Sequence, residues 1–171
     1  MDKSICVFGD STAWGVWDTE KGGWVNRLWL SLAHGSEADN YFEIYNLSVS
    51  GGTTETILER FEKEAQARKA NVIIFQTGGN DSSQDSKGNF KISPEKFSTN
   101  LKEIIVRAKA ITNEIVFIGF KNVDEKMCHK RQVIKGEHKR CQEPFFGLPL
   151  FLSVISNPNF FKTLLVQLTL P

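Results

Sequence analysis

Three short blocks of this 171-residue chain carry residue types suited to acyl transfer: Gly9-Asp10-Ser11, Ser50-Gly51 and Gly78-Gly79-Asn80-Asp81. A serine hydroxyl becomes a nucleophile once a base removes its proton. A glycine amide and an asparagine carboxamide are N–H donors of the kind that stabilise the oxyanion formed when a carbonyl is attacked. Taken singly, each has an ordinary structural use. Ser11 suits a helix N-cap, Gly51 a loop in which Gly52 serves the same turn, and Asn80 an Asx-turn in a glycine-rich loop. Their placement argues for more, because each block follows an apolar run: Ile5-Cys6-Val7-Phe8, Phe42 to Leu47, and Val72-Ile73-Ile74-Phe75.

Those runs read as strands over 4–9, 42–47 and 71–76, with a fourth over 115–120. Between them, Val25, Leu28, Trp29 and Leu32 recur at helical spacing over 24–33, after Gly22-Gly23. Ile57, Leu58, Phe61 and Ala65 define one face of a helix over about 54–69. Ser93-Pro94-Glu95 is a helix start, with a capping hydroxyl, a first-turn proline and an acid at the positive end of the dipole. That helix carries Phe97, Leu101, Ile104, Ile105 and Ala108 inward. Alternating strands and helices predict an α/β fold with a parallel sheet. Loops leaving the carboxyl ends of parallel strands meet along one edge, where ligands bind. Ser11, Gly51 and Asn80 are expected to converge there.

The spelling of these blocks resembles the SGNH, or GDSL-type, hydrolases. Gly9-Asp10-Ser11-Thr12-Ala13-Trp14-Gly15 is similar to the first block of that family, Asn46 through Thr54 to the second, and Gly78-Gly79-Asn80-Asp81 to the third. The resemblance implies a three-layer α/β/α fold with a flavodoxin-like parallel sheet and a serine esterase acting on ester or thioester bonds. It implies Ser11 as the nucleophile, with its own amide, Gly51 and Asn80 receiving the oxyanion. The substrate implied is a small-molecule acyl ester, and no cofactor or metal is called for. The likeness covers residues 4 to about 125, so the chain divides into an α/β domain at 1–125 and a tail at 126–171.

The tail departs from the family. Members carry a C-terminal Asp-x-x-His that supplies the general base and its orienting acid, and this sequence has no such pattern. Lys126 and Lys135 stand three residues before His129 and His138, and His34 closes a helix as a surface residue. After Val123-Asp124-Glu125 come six basic residues against one acid over 126–140, then a Phe- and Leu-rich stretch broken by Pro144, Pro149 and Pro158. The last strand–helix unit of the fold is therefore expected to be replaced, as an out-of-frame C-terminus would do. The bland reading of the tail is a segment that packs on the exposed sheet edge. Two rivals to an active esterase follow: a non-catalytic homologue that binds acyl or carbohydrate ligands, and a defective product lacking an edge strand.

Bulk properties narrow the setting. A formal net charge of +1 gives no field favouring nucleic acid or an anionic membrane. The tail's apolar stretch is short of the roughly 20 residues that span a bilayer, and the N-terminus shows no signal pattern, so a cytoplasmic protein is expected. Cys6, Cys128 and Cys141 are too few and scattered for a disulfide framework. Cys128-His129 with His138 and Cys141 offers zinc-type ligands but lacks the paired spacing of zinc sites. Trp14, Trp17 and Trp24 suit either an acyl or sugar pocket or the core.

Overall fold

The computed structural model describes residues 3–34, 41–119 and the backbone of 153–154. The 125/126 boundary, His129, His138, Cys128 and Cys141 lie outside the described residues. Four parallel strands form the sheet: β1 (Lys3–Gly9), β2 (Phe42–Asn46), β3 (Val72–Gln76) and β4 (Glu114–Phe117), in the order β2-β1-β3-β4. This is the flavodoxin-like order, whose switch point lies between β1 and β3. The two-residue β5 (Ser153–Val154) pairs antiparallel on the outer edge of β4.

Helices cover both faces, and this explains why the central strands read as unbroken apolar runs. α1 (Ser11–Trp14) and α2 (Gly23–His34) pack on one face, where Ala13, Val25 and Leu28 meet Ile5, Val7, Val72, Ile74 and Val116. On the other lie α3 (Thr54–Leu58), α4 (Phe61–Ala67) and α5 (Pro94–Lys109), which bury Ile57, Phe61, Ala65, Ile104 and Ala108 against Cys6, Phe8, Ile73, Phe75 and Ile115. Phe8 stacks on Phe75 at 5.7 Å, and Phe61 meets both rings edge-on. Burial pushes the Cys6 thiol up to about 11, so it stays protonated as a small core side chain.

The single helix predicted over 54–69 is two. At the break Arg60 leaves helical geometry (φ −131°), donates to the Leu47 carbonyl at 2.7 Å and lies over the Phe8 ring. The break, beside a side-chain bond to the end of β2, falls within a local periodicity that runs on without a gap. By contrast, the cap at Ser93 forms as expected, its hydroxyl accepting from Lys96 N–H at 3.2 Å, with Pro94 in the first turn.

Candidate active site

The first block turns sharply out of β1. A Cβ on Gly9 would stand 2.6 Å from Ala13 Cβ and 2.7 Å from the Gln76 carbonyl, so only glycine lets α1 fold back over the strand end. The N-cap of α1 is Asp10, whose Oδ1 accepts from Thr12 N–H at 2.8 Å. Ser11 is therefore not spent as a cap. It occupies the first position of α1, half-buried, and its hydroxyl has no hydrogen-bond partner among the described residues.

The second and third blocks meet this turn at Gly52. Val49 N–H donates to the Gly9 carbonyl at 3.0 Å, and a Cβ on Gly52 would lie 2.9 Å from the Val49 carbonyl and 3.3 Å from that of Gly9. From the far side, Asn80 Nδ2 donates to the Gly52 carbonyl at 3.0 Å, and Lys91 Nζ to the Gly51 carbonyl at 3.3 Å. Gly51 has φ +78°, with open space where a side chain would stand, and its own N–H is unengaged among the described residues. The Asn80 side chain thus crosses to the neighbouring loop instead of closing an Asx-turn. Gly51 and Asn80 line one cavity of about 390 Å³. Ser11 does not line it; its connection to the other two residues runs through Gly9 and Gly52.

A buried polar network supports the crossing. Asp81 accepts from Thr54 N–H at 3.0 and 3.2 Å and from the Thr54 hydroxyl at 2.5 Å, while Asn100 Nδ2 donates to that hydroxyl at 2.9 Å. It ties the third block to the start of α3 and to α5. Burial holds the Asp81 carboxyl above the usual carboxylate range, even though Thr54 and the Lys91 charge act the other way. Asp10 is raised as well, first by burial and further by the like charge of Asp81. Sequence reasoning passed over both aspartates as spelling within their blocks. Asp10 had a local signal, since an aspartate before a short helix is a preferred cap; Asp81 had none, because its partners are distant in the chain.

Of the tryptophans, Trp24 packs on the α1–α2 core and its Nε1 donates to Gln76 Oε1 at 2.8 Å. Trp14 and Trp17 are exposed. His34 ends α2. At about 1.5 Å per helical residue it lies roughly 16 Å from Gly23, which touches Gly15 near the site. It therefore stands toward the amino-end edge of the sheet and cannot act on Ser11.

Strand order, two-sided helical cover and three loop ends meeting at one edge define an α/β protein of the SGNH-hydrolase type. Residues 7–144 match the GDSL-like lipase/acylhydrolase family, and the chain belongs to it. It is 26% identical over 111 residues to the "Uncharacterized lipoprotein YqeF" of Bacillus subtilis, a match covering 63% of this chain and 44% of that protein. Among solved structures, AlinE4, described as an SGNH-hydrolase family esterase, superposes with TM-score 0.56 at 26% identity, covering 74% of this chain and 63% of that one. TesA superposes with TM-score 0.60 at 23% identity, over 73% of this chain and 64% of TesA, and speaks to the fold. The chain thus spans less than half of YqeF and less than two thirds of either of these solved structures. Among the described residues, no helix is long and apolar enough to cross a membrane.

Proposed function

We propose that this chain carries the nucleophile and oxyanion half of an esterase site acting on ester or thioester bonds of small acyl compounds. The observation that supports the reading is the crossing at Gly52, where the loop after β2 bonds to the Gly9 carbonyl and receives the Asn80 carboxamide, one turn from a serine whose hydroxyl has no partner among the described residues. In this reading Ser11 Oγ attacks the acyl carbonyl, and the C=O electron pair moves onto oxygen. The oxyanion is received by the N–H groups of Ser11 and Gly51 and by the Asn80 Nδ2 hydrogen not given to Gly52. A donor of this kind is worth about 10²–10³ in rate.

The Ser11 proton needs an acceptor. His34 is out of reach among the described residues, and the second reading is a non-catalytic acyl- or carbohydrate-binding homologue. A site missing a triad member retains only about 10³–10⁴-fold acceleration over water. Hydrolysis of a short-chain nitrophenyl ester by the purified chain separates the two. Turnover lost in Ser11→Ala supports the esterase, and loss in His129→Ala or His138→Ala assigns the base. Equal background in wild type and Ser11→Ala rejects the esterase in favour of the binder. We assign the chain to the cytoplasm, whereas its relative YqeF is named a lipoprotein. Recovery in the membrane pellet on cell fractionation would overturn the assignment.

A further inference from the structure

The second block does more than supply Gly51. Past the end of β2 its backbone goes on pairing with β1, since Leu47 N–H donates to the Val7 carbonyl at 2.8 Å and Val49 N–H to that of Gly9 at 3.0 Å. Extended backbone alternates its side chains, so Asn46 and Ser48 continue the face of Phe42 and Ile44, which pack on the α1–α2 side of the sheet. There the face turns polar. Ser48, 7% exposed, has its Oγ 3.3 Å from where a Cβ on Gly9 would stand. Asn46 Oδ1 accepts from Ser48 N–H at 3.2 Å, and its Nδ2 donates to the Ala13 carbonyl, 33 positions away, at 3.0 Å. One partner is an N–H and the other a C=O, so the carboxamide fits in a single orientation.

We propose that Asn46 is a positioning residue for the Ser11 nucleophile: it pins α1 to the second block and so sets where the serine hydroxyl stands. The inference rests on the esterase reading for the task the hydroxyl performs, and on these bonds for the pin itself. A helix of one turn leaves most of its backbone groups to outside partners. In α1 the carbonyls of Asp10, Ser11 and Thr12 are taken by the N–H groups of Trp14, Gly15 and Val16. That of Ala13 is served from another strand, by Asn46. Ala13 is fully buried, where a carbonyl without a donor is costly. Among the described residues, no other side chain from a strand bonds to α1.

The leverage comes from how α1 is seated. Ala13 rests on Gly9, where an added Cβ would stand 2.6 Å from its own, so the contact is smooth and has no side chain to fix the helix against rolling. The Asp10 cap is local to the turn and moves with it. Asn46 supplies the missing constraint. A roll of about 15° moves a hydroxyl held roughly 4 Å from the helix axis by about 1 Å. Misplacement by about 1 Å costs on the order of 10²-fold in rate.

The test is NMR of the isotope-labelled full chain alongside ester hydrolysis. In Asn46→Ala the Ala13 carbonyl-carbon signal should shift on losing its donor, and the Ser11 Cβ signal should move with it, while residues of α5 keep theirs. Asn46→Asp keeps the acceptor for Ser48 N–H and, once protonated, offers an O–H to the Ala13 carbonyl. As pH is lowered, both signals should return toward their wild-type positions along one titration. Wild type run in parallel subtracts Asp10, the titrating carboxyl of the same turn. Where nitrophenyl ester turnover is present, Asn46→Ala should lower kcat by about tenfold to a hundredfold with KM within about twofold. Ile104→Val, a core truncation on the opposite face of the sheet, should leave kcat unchanged. A Ser11 signal that stays put in both variants, an unchanged kcat in Asn46→Ala, or an equal fall in Ile104→Val would overturn the inference. Absence of wild-type turnover refutes the esterase reading alone, since the carbon signals report the pin without it.

Discussion

Asp81 offers the sharpest test of how the site is held. It is fully buried, as is Thr54, and Asn100 is 1% exposed. Asp81→Ala removes the acceptor for both the Thr54 N–H and the Thr54 hydroxyl in a place water does not reach. Each orphaned buried donor costs about 1–3 kcal/mol, so the loss of stability should be about 2–6 kcal/mol. At about 2–4 °C per kcal/mol for a domain of this size, Tm falls by at least ~4 °C. Urea unfolding followed by tryptophan fluorescence should show a lower midpoint with an unchanged slope. Asp81→Asn keeps one acceptor but turns an NH₂ toward a donor, and should fall between wild type and Asp81→Ala.

The acid form supplies an independent check on the same residue. Burial raises the folded pKa of Asp81 above its ordinary 3.8, so ionisation costs more in the folded state than in the unfolded one. The resulting stability is fully present below the unfolded pKa and is lost as pH rises through the raised folded value. Wild type should weaken across that window, and Asp81→Asn should weaken less. Asp10, raised in the same direction and partly by Asp81, accounts for what remains. An Asp81→Ala chain within about 0.5 kcal/mol of wild type, where exposed-site changes fall, would refute the network as the tie between the third block and α3.

Other substitutions separate chemistry from backbone. Where Ser11-dependent turnover is present, Asn80→Ala should lower kcat by about 10²–10³; an unchanged kcat removes Asn80 from the oxyanion role. At Gly51 the constraint is φ +78° and not space, so Gly51→Val should cost about 1–2 kcal/mol of stability. Gly51→Asn should cost less, since asparagine tolerates the left-handed region. Equal losses, read from urea midpoints, would show that something other than backbone conformation selects glycine.

What could be read in the chain was local. Apolar runs without alternation mark strands covered on both faces, Val25 and Leu28 recur at helical spacing, and Ser93-Pro94-Glu95 announces α5. Each is encoded within one or two turns, and the elements stand at these places, though β4 ends at Phe117, short of the apolar run to 120. The three blocks could be placed at strand ends because β1, β2 and β3 are parallel and must all point their carboxyl ends one way. The helix expected over 54–69 breaks at Arg60, whose side chain is held by Leu47 on another element, a contact that local periodicity does not record.

The amino-acid sequence by itself determined the family, the order of elements and the strand ends at which the three blocks stand, since periodicity, capping and block spelling need no knowledge of partners. Tertiary structure decided how they are joined. Asn80 reaches Gly52 across 28 positions, Thr54 reaches Asp81 across 27, and Asn100 reaches Thr54 across 46. It also decided that Asp10 takes the cap and leaves Ser11 its hydroxyl, and that Gly52, not Gly51, is where the loops cross. Such bonds form only when the sheet closes and brings distant backbone within hydrogen-bond reach, so no short stretch of residues encodes them.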